Sequence, residues 1–380
     1  MSQSRIAVVG AHHTPLTRRQ DAQSLEEMIF EATRGALADA GLTIDDIDGI
    51  VLATSDQVQG RVIESMVTNG AAGGVGKDVT TLASAGEHSL VYAYLRLLAG
   101  QGQRLLVVTW GKPSESVDPS HAALVEADPF FLRPLGMRAT VAAGLQGSRY
   151  VTRHGLDRDA IRAVRAARAK AGSAAGAPAA DTADDGAMVA WPLTTSDLPV
   201  AVDVAAALVL VTEDAVTEQQ SPAWVIGVGW STDGYDLADR DISQFNALAA
   251  ATERATRDGI SVRRADVVEV QELSTIAGFA ACEALGLSEP GEGAKAAVGA
   301  QPAVNPSGGN LVANPSNASG FLRFLNAAQQ ARGQAGAVQV TTGRPITAVG
   351  AAMHGFAGQG AAVVIFRGDG QPPQTVRELA

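Results

Sequence analysis

The chain carries an internal repeat, and this restricts its fold more than any other feature of the sequence. The segment EATRGALADAGLTIDDIDGIVLATS is matched in the second half by AAATERATRDGISVRRADVVEVQEL. The equivalent positions follow one constant offset: Gly41/Gly259, Leu42/Ile260, Ile44/Val262, Asp48/Asp266 and Ile50/Val268. Each copy reads as a helix that ends at a glycine and leads into a buried strand. Two such copies predict two similar α/β halves related by a pseudo-twofold axis.

A second correspondence extends the repeat. ASAGEHSLVYAYLRLLAGQGQ is echoed by ANPSNASGFLRFLNAAQQARGQ, in each case a turn of small residues that opens a helix. Helix N-termini present free N–H groups and a partial positive charge, so two equivalent ones would point toward one shared site. The small residues at 83–86 and 317–320 fit two interpretations. They admit a carbonyl or thioester, or they allow a central helix to pack tightly.

The composition favours stacked layers of sheet and helix. Hydrophobic residues make up 46% of the 380, but aromatic residues only 4%, and there are 41 glycines. The interior must therefore be built from Ala, Val, Leu and Ile, as in α/β folds whose strands are buried on both faces. The chain is long enough for two core-sized units.

The charge and cysteine content exclude several classes of protein. A formal charge of −11 with only four lysines argues against nucleic-acid binding, which needs a basic face. The single cysteine, Cys282, can form neither an internal disulfide nor a zinc site, and helical spacing makes it a core residue. No apolar run reaches the ~18–20 residues of a membrane span. We therefore expect a cytoplasmic protein without a metal or cofactor.

The chain divides into three predicted domains. The N-terminal half is formed by residues 1–117 and 192–219, and the C-terminal half by residues 220–380. Between them, residues 118–191 form an inserted loop domain with two helices and an Ala/Gly/Asp-rich linker. An excursion of this kind typically covers the face of a sheet that holds the functional site.

Two glycine-rich segments of the second half supply candidate ligand contacts. AVNPSGGNLVANPSNASG contains Asn305, Ser307 and Asn314, and its composition marks a loop with exposed backbone amides. Asn305 is as well suited to cap a turn as to contact a ligand. HGFAGQGAAVVIF places His354 and Gly358 in a turn that leads into a last buried strand. The helix required after a dinucleotide-binding glycine motif does not follow this turn.

The turn that opens the helix of ASAGEHSLVYAYLRLLAGQGQ supplies further candidates. Ser84 and Gly86 lie in the opening turn, and His88 lies about one turn into the helix. His88 and His354 are the candidate acid/base groups, although a histidine inside a helix is also often a packed, hydrogen-bonded side chain. No Ser-His-Asp, metal-ligand or P-loop spacing stands out.

Several segments resemble the thiolase superfamily, in particular its lipid-transfer or sterol-carrier-protein-x branch. They occur in the family's order and span almost the whole chain: GLTIDDIDGIVLAT, LASAGEHSL, WPLTTSDLPVAVDVAAALVL, ADVVEVQELSTIAGFAACEALGL, NPSGGNLVANPSNASG and HGFAGQGAAVVIF. The resemblance implies a thiolase-like five-layered αβαβα fold with two duplicated halves. It also implies a loop domain over an acyl-CoA site, and a homodimer.

The departures from the family pattern bear on function. Ala83 stands where the resemblance implies the nucleophilic cysteine, Gln271 where it implies a histidine, and Asn314 where it implies the histidine of a GHP motif. Val204 replaces a glycine in the segment VDVAAA. An alanine cannot attack a thioester, and Ser84 has neither of the expected bases to activate it. Gly358 and the two helix openings, which help form oxyanion pockets in the family, are retained.

Three functions follow as hypotheses. The first is a protein that binds acyl-CoA, with pocket candidates Ser84, Gly86, Asn305, Ser307, Asn314 and Gly358, but has no normal thiolase activity. The second is a retro-aldolase that cleaves a β-hydroxyacyl-CoA, with His88 or His354 as base, Glu87 or Glu272 as helper, and a small zinc-ribbon/OB-fold partner. The third is a non-catalytic subunit of a thiolase complex.

Overall fold

The computed structural model describes residues 5–56, 63–116, 124, 127–180, 185–257 and 259–369. Its helices are α1 (Leu25–Ala40), α2 (Glu64–Ala71), α3 (Glu87–Leu98), α4 (Ala139–His154), α5 (Arg158–Ala174), α6 (Asn246–Ala255), α7 (Thr275–Ala284), α8 (Gly293–Ala297), α9 (Gly309–Val312) and α10 (Ser319–Arg332). Its strands are β1 (Ile6–His13), β2 (Gly49–Thr54), β3 (Asp78–Ala83), β4 (Arg104–Gly111), β5 (Met188–Ala190), β6 (Leu193–Thr194), β7 (Val204–Thr212), β8 (Ala223–Thr232), β9 (Val267–Val270), β10 (Ala303–Val304), β11 (Thr347–His354) and β12 (Gly360–Gly368).

Ten strands form one sheet in the order β10-β9-β11-β12-β8-β1-β7-β4-β2-β3. Each half contributes five strands to this sheet. Numbered along the chain within their half and read from the outer edge inward, they occur in both halves in the order third, second, fourth, fifth, first. In each half the second strand pairs in parallel with the third and the fourth, and the remaining pairs are antiparallel. The halves join where β1 pairs with β8. The duplication predicted from the repeat is therefore present in the sheet topology.

The core is arranged in five layers. Helices α3 and α10 occupy the centre, where Leu90 and Phe321 share one apolar cluster with strands of both halves. The opposite face of the first half packs against α1, and the opposite face of the second packs against α6 and α7. This confirms the αβαβα architecture. Strands buried on both faces account for the continuous Val, Leu, Ile and Ala runs of the sequence.

The first helix forms as its sequence predicts. The Ser24 hydroxyl accepts from the Glu27 N–H, and the Glu27 carboxylate accepts from the Ser24 N–H, which completes a capping box. The helix ends at Gly41, whose φ of 66° lies in the left-handed region.

The two helices predicted for the inserted segment are also present, as α4 and α5. Strands β5 and β6 follow them as a separate two-stranded sheet. The domain boundaries at residues 117, 191 and 219 remain predictions, and residues 117–123 lie outside the described part of the chain. Among the described helices, none is both long and apolar enough to cross a membrane.

Helices α3 and α10 cross closely at their openings. The Gly86 N–H donates to the Asn317 carbonyl at 2.8 Å. A Cβ atom on Gly86 would lie 2.9 Å from that carbonyl oxygen, and a Cβ on Gly320 would lie 2.4 Å from Glu87 Oε2. The small residues at both openings thus allow the two helices to approach, because no side chain would fit between them. This favours the packing interpretation for Gly86.

Candidate functional site

A cavity of about 420 Å³ opens where α3 and α10 begin. Helix α4 of the inserted segment forms its outer wall through Ala139, Thr140, Ala143 and Gln146. Its other lining residues are Ala85, Glu87, Pro113, Ser116, Leu198, Pro199, Gln271, Leu273, Asn310, Asn314, Ser316, Asn317, Gly320, Met353, His354, Gly355 and Ala357. A volume of this size is typical of a small-molecule site.

Among the described residues of this lining, Glu87 and His354 carry the carboxylate and imidazole side chains. Glu87 is buried at the first position of α3, and His354 is the last residue of β11. The His354 Nδ1–H donates to Glu87 Oε1 at 2.9 Å. The pairing leaves Nε2 of a neutral His354 as a proton acceptor, so the pair can act as an acid/base group.

Gly360 creates the space for the His354 ring. The two residues are directly opposite in the hairpin formed by β11 and β12. A Cβ atom on Gly360 would lie 2.0 Å from His354 Nε2. The glycine of this motif is therefore explained by the histidine across from it.

Ser84 and His88 form a second polar pair beside the first. Ser84 Oγ, in the turn before α3, lies 2.6 Å from Nδ1 of His88, the second residue of that helix. The His88 ring meets the His354 ring with centroids 4.2 Å apart and planes at 68°. A serine with an adjacent histidine is the arrangement that activates a hydroxyl. This corrects the expectation that Ser84 has no base, since that expectation considered only positions 271 and 314.

Burial lowers the pKa of His88 below its ordinary value of 6.5, and nearby His354 lowers it further, while Glu87 partly opposes both. His88 is therefore neutral near pH 7. When its proton is on Nε2, Nδ1 accepts the Ser84 hydroxyl proton.

Asn314 lines the cavity at the approach to α10. Its Oδ1 accepts from the Ser319 hydroxyl, and its backbone is held by Val200 and Val202. The side-chain amide N–H₂ of Asn314 has no hydrogen-bond partner among the described residues. Because Ser319 occupies the oxygen, the amide presents its donors to the cavity.

Gln271 is oriented in a similar way. Its Oε1 accepts from the Met353 N–H at 3.0 Å, and its own N–H donates to the Ala351 carbonyl. The Nε2 donors of Gln271 have no partner in the described part of the chain. Asn314 and Gln271 thus both place neutral donors on one cavity.

Asn305 and Ser307 do not line this cavity. Asn305 is buried, and its side chain is hydrogen-bonded to both the N–H and the carbonyl of Val270. These bonds favour a role in capping the turn over contact with a ligand. The Ser307 hydroxyl donates to Glu269, which also pairs with buried Arg323 at 3.0 Å. The structure therefore gives both residues a packing role inside the C-terminal half.

The remaining candidates lie around the cavity rather than in its lining. Ala83 ends β3 and is exposed. Gly358 has a φ of 67° and follows Ala357 in the turn, where a Cβ would lie 2.7 Å from the Phe245 ring. Glu272 is held by Arg168 at 2.9 Å. Of the two proposed helper carboxylates, Glu87 is thus the one that contacts a histidine.

Sequence reasoning missed the cavity's other carboxamides, Gln146, Asn310 and Asn317. Gln146 lies on α4 and donates to the Ala357 carbonyl at 3.0 Å, and Asn310 donates to the Glu272 carbonyl. No motif spacing connects these residues, because they come from different elements. By contrast, the four-residue separation of Ser84 and His88 could have indicated their contact.

Comparison with known proteins finds similarity to thiolases and acetyltransferases. A family model described as "Thiolase C-terminal domain-like" matches residues 229–367. An acetyl-CoA acetyltransferase of Methanothermobacter thermautotrophicus is 27% identical over 356 residues, which cover 88% of this chain and 93% of that protein.

Solved structures show the same fold. The Ltp2-ChsH2(DUF35) aldolase aligns with a TM-score of 0.77 at 17% identity, covering 98% of this chain and 99% of that one. Human mitochondrial 3-ketoacyl-CoA thiolase aligns with a TM-score of 0.74 at 15% identity, covering 97% and 100%. The monomeric SCP2-thiolase like protein type 1 of Mycobacterium smegmatis aligns with a TM-score of 0.72 at 18% identity, covering 95% and 77%.

The fold is thus that of a thiolase, built from two duplicated halves with helices α3 and α10 at the centre. The family model matches the C-terminal part of the chain and the acetyltransferase relative aligns with most of it, so the chain is similar to thiolases in sequence as well as in fold.

Proposed function

We propose that this protein binds a CoA thioester in the cavity and has no normal thiolase activity. The observation that carries the proposal is the meeting of two neutral amide donors, on Asn314 and Gln271, with an acid/base pair, Glu87 and His354, in one cavity. The described lining contains no lysine or arginine, so the cavity suits the uncharged acyl and pantetheine parts of the ligand. The phosphates would lie outside it.

The carbonyl oxygen of a thioester is the group that such donors recognise. Amide N–H groups that are fixed before the ligand arrives stabilise the negative charge that develops on a carbonyl oxygen. Ser319 fixes Asn314, and Met353 fixes Gln271. Thiolysis itself needs a thiolate at position 83, and Ala83 has no atom that can form the covalent intermediate.

A retro-aldol cleavage of a β-hydroxyacyl-CoA is the second candidate, and the contact of Glu87 with His354 favours it. Such a reaction removes the β-hydroxyl proton, breaks the bond between the α and β carbons and leaves an enolate on the thioester. His354 would accept the proton, and the amide donors would stabilise the enolate. One structural neighbour is a complex of an aldolase with a DUF35 chain, which motivates the proposal of a small zinc-ribbon/OB-fold partner here.

A homodimer is proposed on the edge of the first half. Strand β3 pairs only with β2 among the described strands, and its outer edge is open. Met66 and Val67 of nearby α2 are 76% and 54% exposed. An open edge beside exposed apolar side chains suits pairing with a second copy. Size-exclusion chromatography with light scattering measures the mass in solution. A homodimer gives twice the chain mass, and the chain mass itself would contradict the proposal.

Isothermal titration with CoA, acetyl-CoA and a long-chain acyl-CoA tests the proposed binding. We expect micromolar affinity for at least one ester, roughly −8 kcal/mol. Ala139→Trp fills the rim of the cavity and should weaken binding about tenfold or more. Val141→Trp is the matched control, because Val141 lies on the same helix, is 38% exposed and does not line the cavity.

Equal affinity in the two tryptophan variants would place the ligand elsewhere. Absence of heat with every ester would reject acyl-CoA binding and favour a non-catalytic subunit. Release of a ketone or aldehyde from a β-hydroxyacyl-CoA, lost in His354→Gln, would establish the lyase. Thiolysis of acetoacetyl-CoA by the unmodified protein would contradict the loss of thiolase activity.

A further inference from the structure

We propose that Ser84 is a nucleophile and His88 its base, so that the protein hydrolyses a CoA thioester through an acyl-serine intermediate. The inference rests on the proposed thioester binding and assigns a reaction to the margin of that site.

The geometry of the pair meets the first requirement for such a nucleophile. Ser84 Oγ is 2.6 Å from His88 Nδ1, within the range for transfer of the hydroxyl proton. Both side chains are half-buried, so water and a substrate can reach them. Ser84 is not among the described lining residues, but the next residue, Ala85, is, so Ser84 lies beside the cavity.

A chain of contacts orients the base. Glu87 is buried and accepts a hydrogen bond from His354, and the His354 and His88 rings pack against each other in a T-shaped arrangement. The charged or titratable groups that face His88 are Glu87, from its own helix, and His354, from β11. This order of carboxylate, histidine, histidine and serine limits the rotation of the His88 ring and keeps Nδ1 directed at Ser84.

The position of the pair also suits a thioester. Ser84 directly follows Ala83 in the opening of α3, and the donors of Asn314 and Gln271 lie on the same cavity. A carbonyl oxygen held by those donors would expose its carbon to a nucleophile at the α3 opening. The amide donors thus come from the second half of the chain, and the hydroxyl comes from the first half.

The reaction balances with water as the second reactant. Ser84 Oγ attacks the carbonyl carbon, its proton passes to His88 Nδ1, and the C–S bond breaks as the sulfur takes that proton and leaves as a thiol. Water then attacks the Ser84 ester and gives a proton to His88. The C–O bond to Ser84 breaks, and Oγ regains the proton. The sum is thioester plus water to carboxylic acid plus thiol.

A fluorophosphonate probe tests the nucleophile without knowledge of the acyl chain. An activated serine displaces fluoride and forms a stable P–O bond, and peptide mapping of the unmodified protein identifies the labelled residue. We expect one label, at Ser84. Ser84→Ala should abolish the label, and His88→Gln should slow it about 100-fold, the lower end of what a positioned base contributes. Ser173→Ala, at an exposed serine of α5, is the matched control and should label normally.

The outcomes separate this inference from the proposed binding site. Labelling of Ser84 that acyl-CoA slows supports both. Labelling of Ser84 that no CoA ester slows supports the nucleophile and contradicts the proposed location of the thioester. Binding of a CoA ester by titration, with no label at Ser84, or with equal labelling in His88→Gln, overturns the inference and leaves the proposed binding intact.

Discussion

The openings of α3 and α10 occupy equivalent places in the two halves but carry different chemistry. The α3 opening holds a hydroxyl, a carboxylate and an imidazole, on Ser84, Glu87 and His88. The approach to α10 holds carboxamides, Asn314 and Asn317, which donate hydrogen bonds and do not titrate. The duplication thus places two similar helix openings beside one cavity, and under the proposed function one would transfer protons and the other would recognise a carbonyl.

The two helices also differ in how they hold their charged side chains. Arg323 of α10 pairs with Glu269 where both side chains are at most 1% exposed. Arg96 of α3 pairs with Asp78, whose side chain is 64% exposed. A charge that loses its partner in the buried Arg323–Glu269 pair cannot be hydrated. A charge that loses its partner in the Arg96–Asp78 pair can be. The ion pair of α10 is therefore expected to contribute more to stability than that of α3.

The largest expected effect tests this difference in burial. Arg323→Met leaves Glu269 buried without its cation and should lower the free energy of unfolding by about 3–5 kcal/mol. Arg96→Met, the same substitution in α3, should lower it by about 1 kcal/mol or less, because Asp78 becomes hydrated. Urea unfolding of both variants measures the two values. Equal losses would show that the two ion pairs do not differ in the way their exposure implies.

A smaller effect tests the division of chemistry at the cavity. Asn314→Asp replaces donors with a carboxylate, which repels a carbonyl oxygen, and should weaken acyl-CoA binding about tenfold, or ~1.4 kcal/mol. Asn326→Asp is the matched control, since Asn326 lies on α10 itself and is away from the cavity. Titration of both variants measures the difference. Unchanged affinity in Asn314→Asp would mean that this amide does not contact the ligand.

The smallest effect concerns pH. Burial lowers the pKa of His88, so between that value and 6.5 the unfolded chain binds more protons than the folded one. The stability due to neutral His88 is complete above pH 6.5 and is lost as the pH falls through that window. We expect the unmodified protein to lose more stability than His88→Gln between pH 7 and pH 5. An equal loss in both would show that His88 titrates normally.

Much of the fold followed from local patterns in the sequence. The repeat predicted two halves, the capping box of α1 formed as its residues indicated, and both helices of the inserted segment are present. These features depend on residues close in sequence, or on a periodicity that the sequence displays directly. The candidate site was harder to predict because its residues are remote. His354 meets Glu87 from β11, and Gln146 reaches the cavity from α4.

The sequence by itself determined the duplication, the layered core of small aliphatic residues and the absence of a cysteine at position 83. The tertiary structure alone decided that Asn305 and Ser307 face inward toward Val270 and Glu269, and that His354 pairs with Glu87. The physical reason is distance along the chain. Periodicity and caps arise from neighbours within a few residues, whereas a site depends on how separate elements pack, and each side chain points where that packing leaves space.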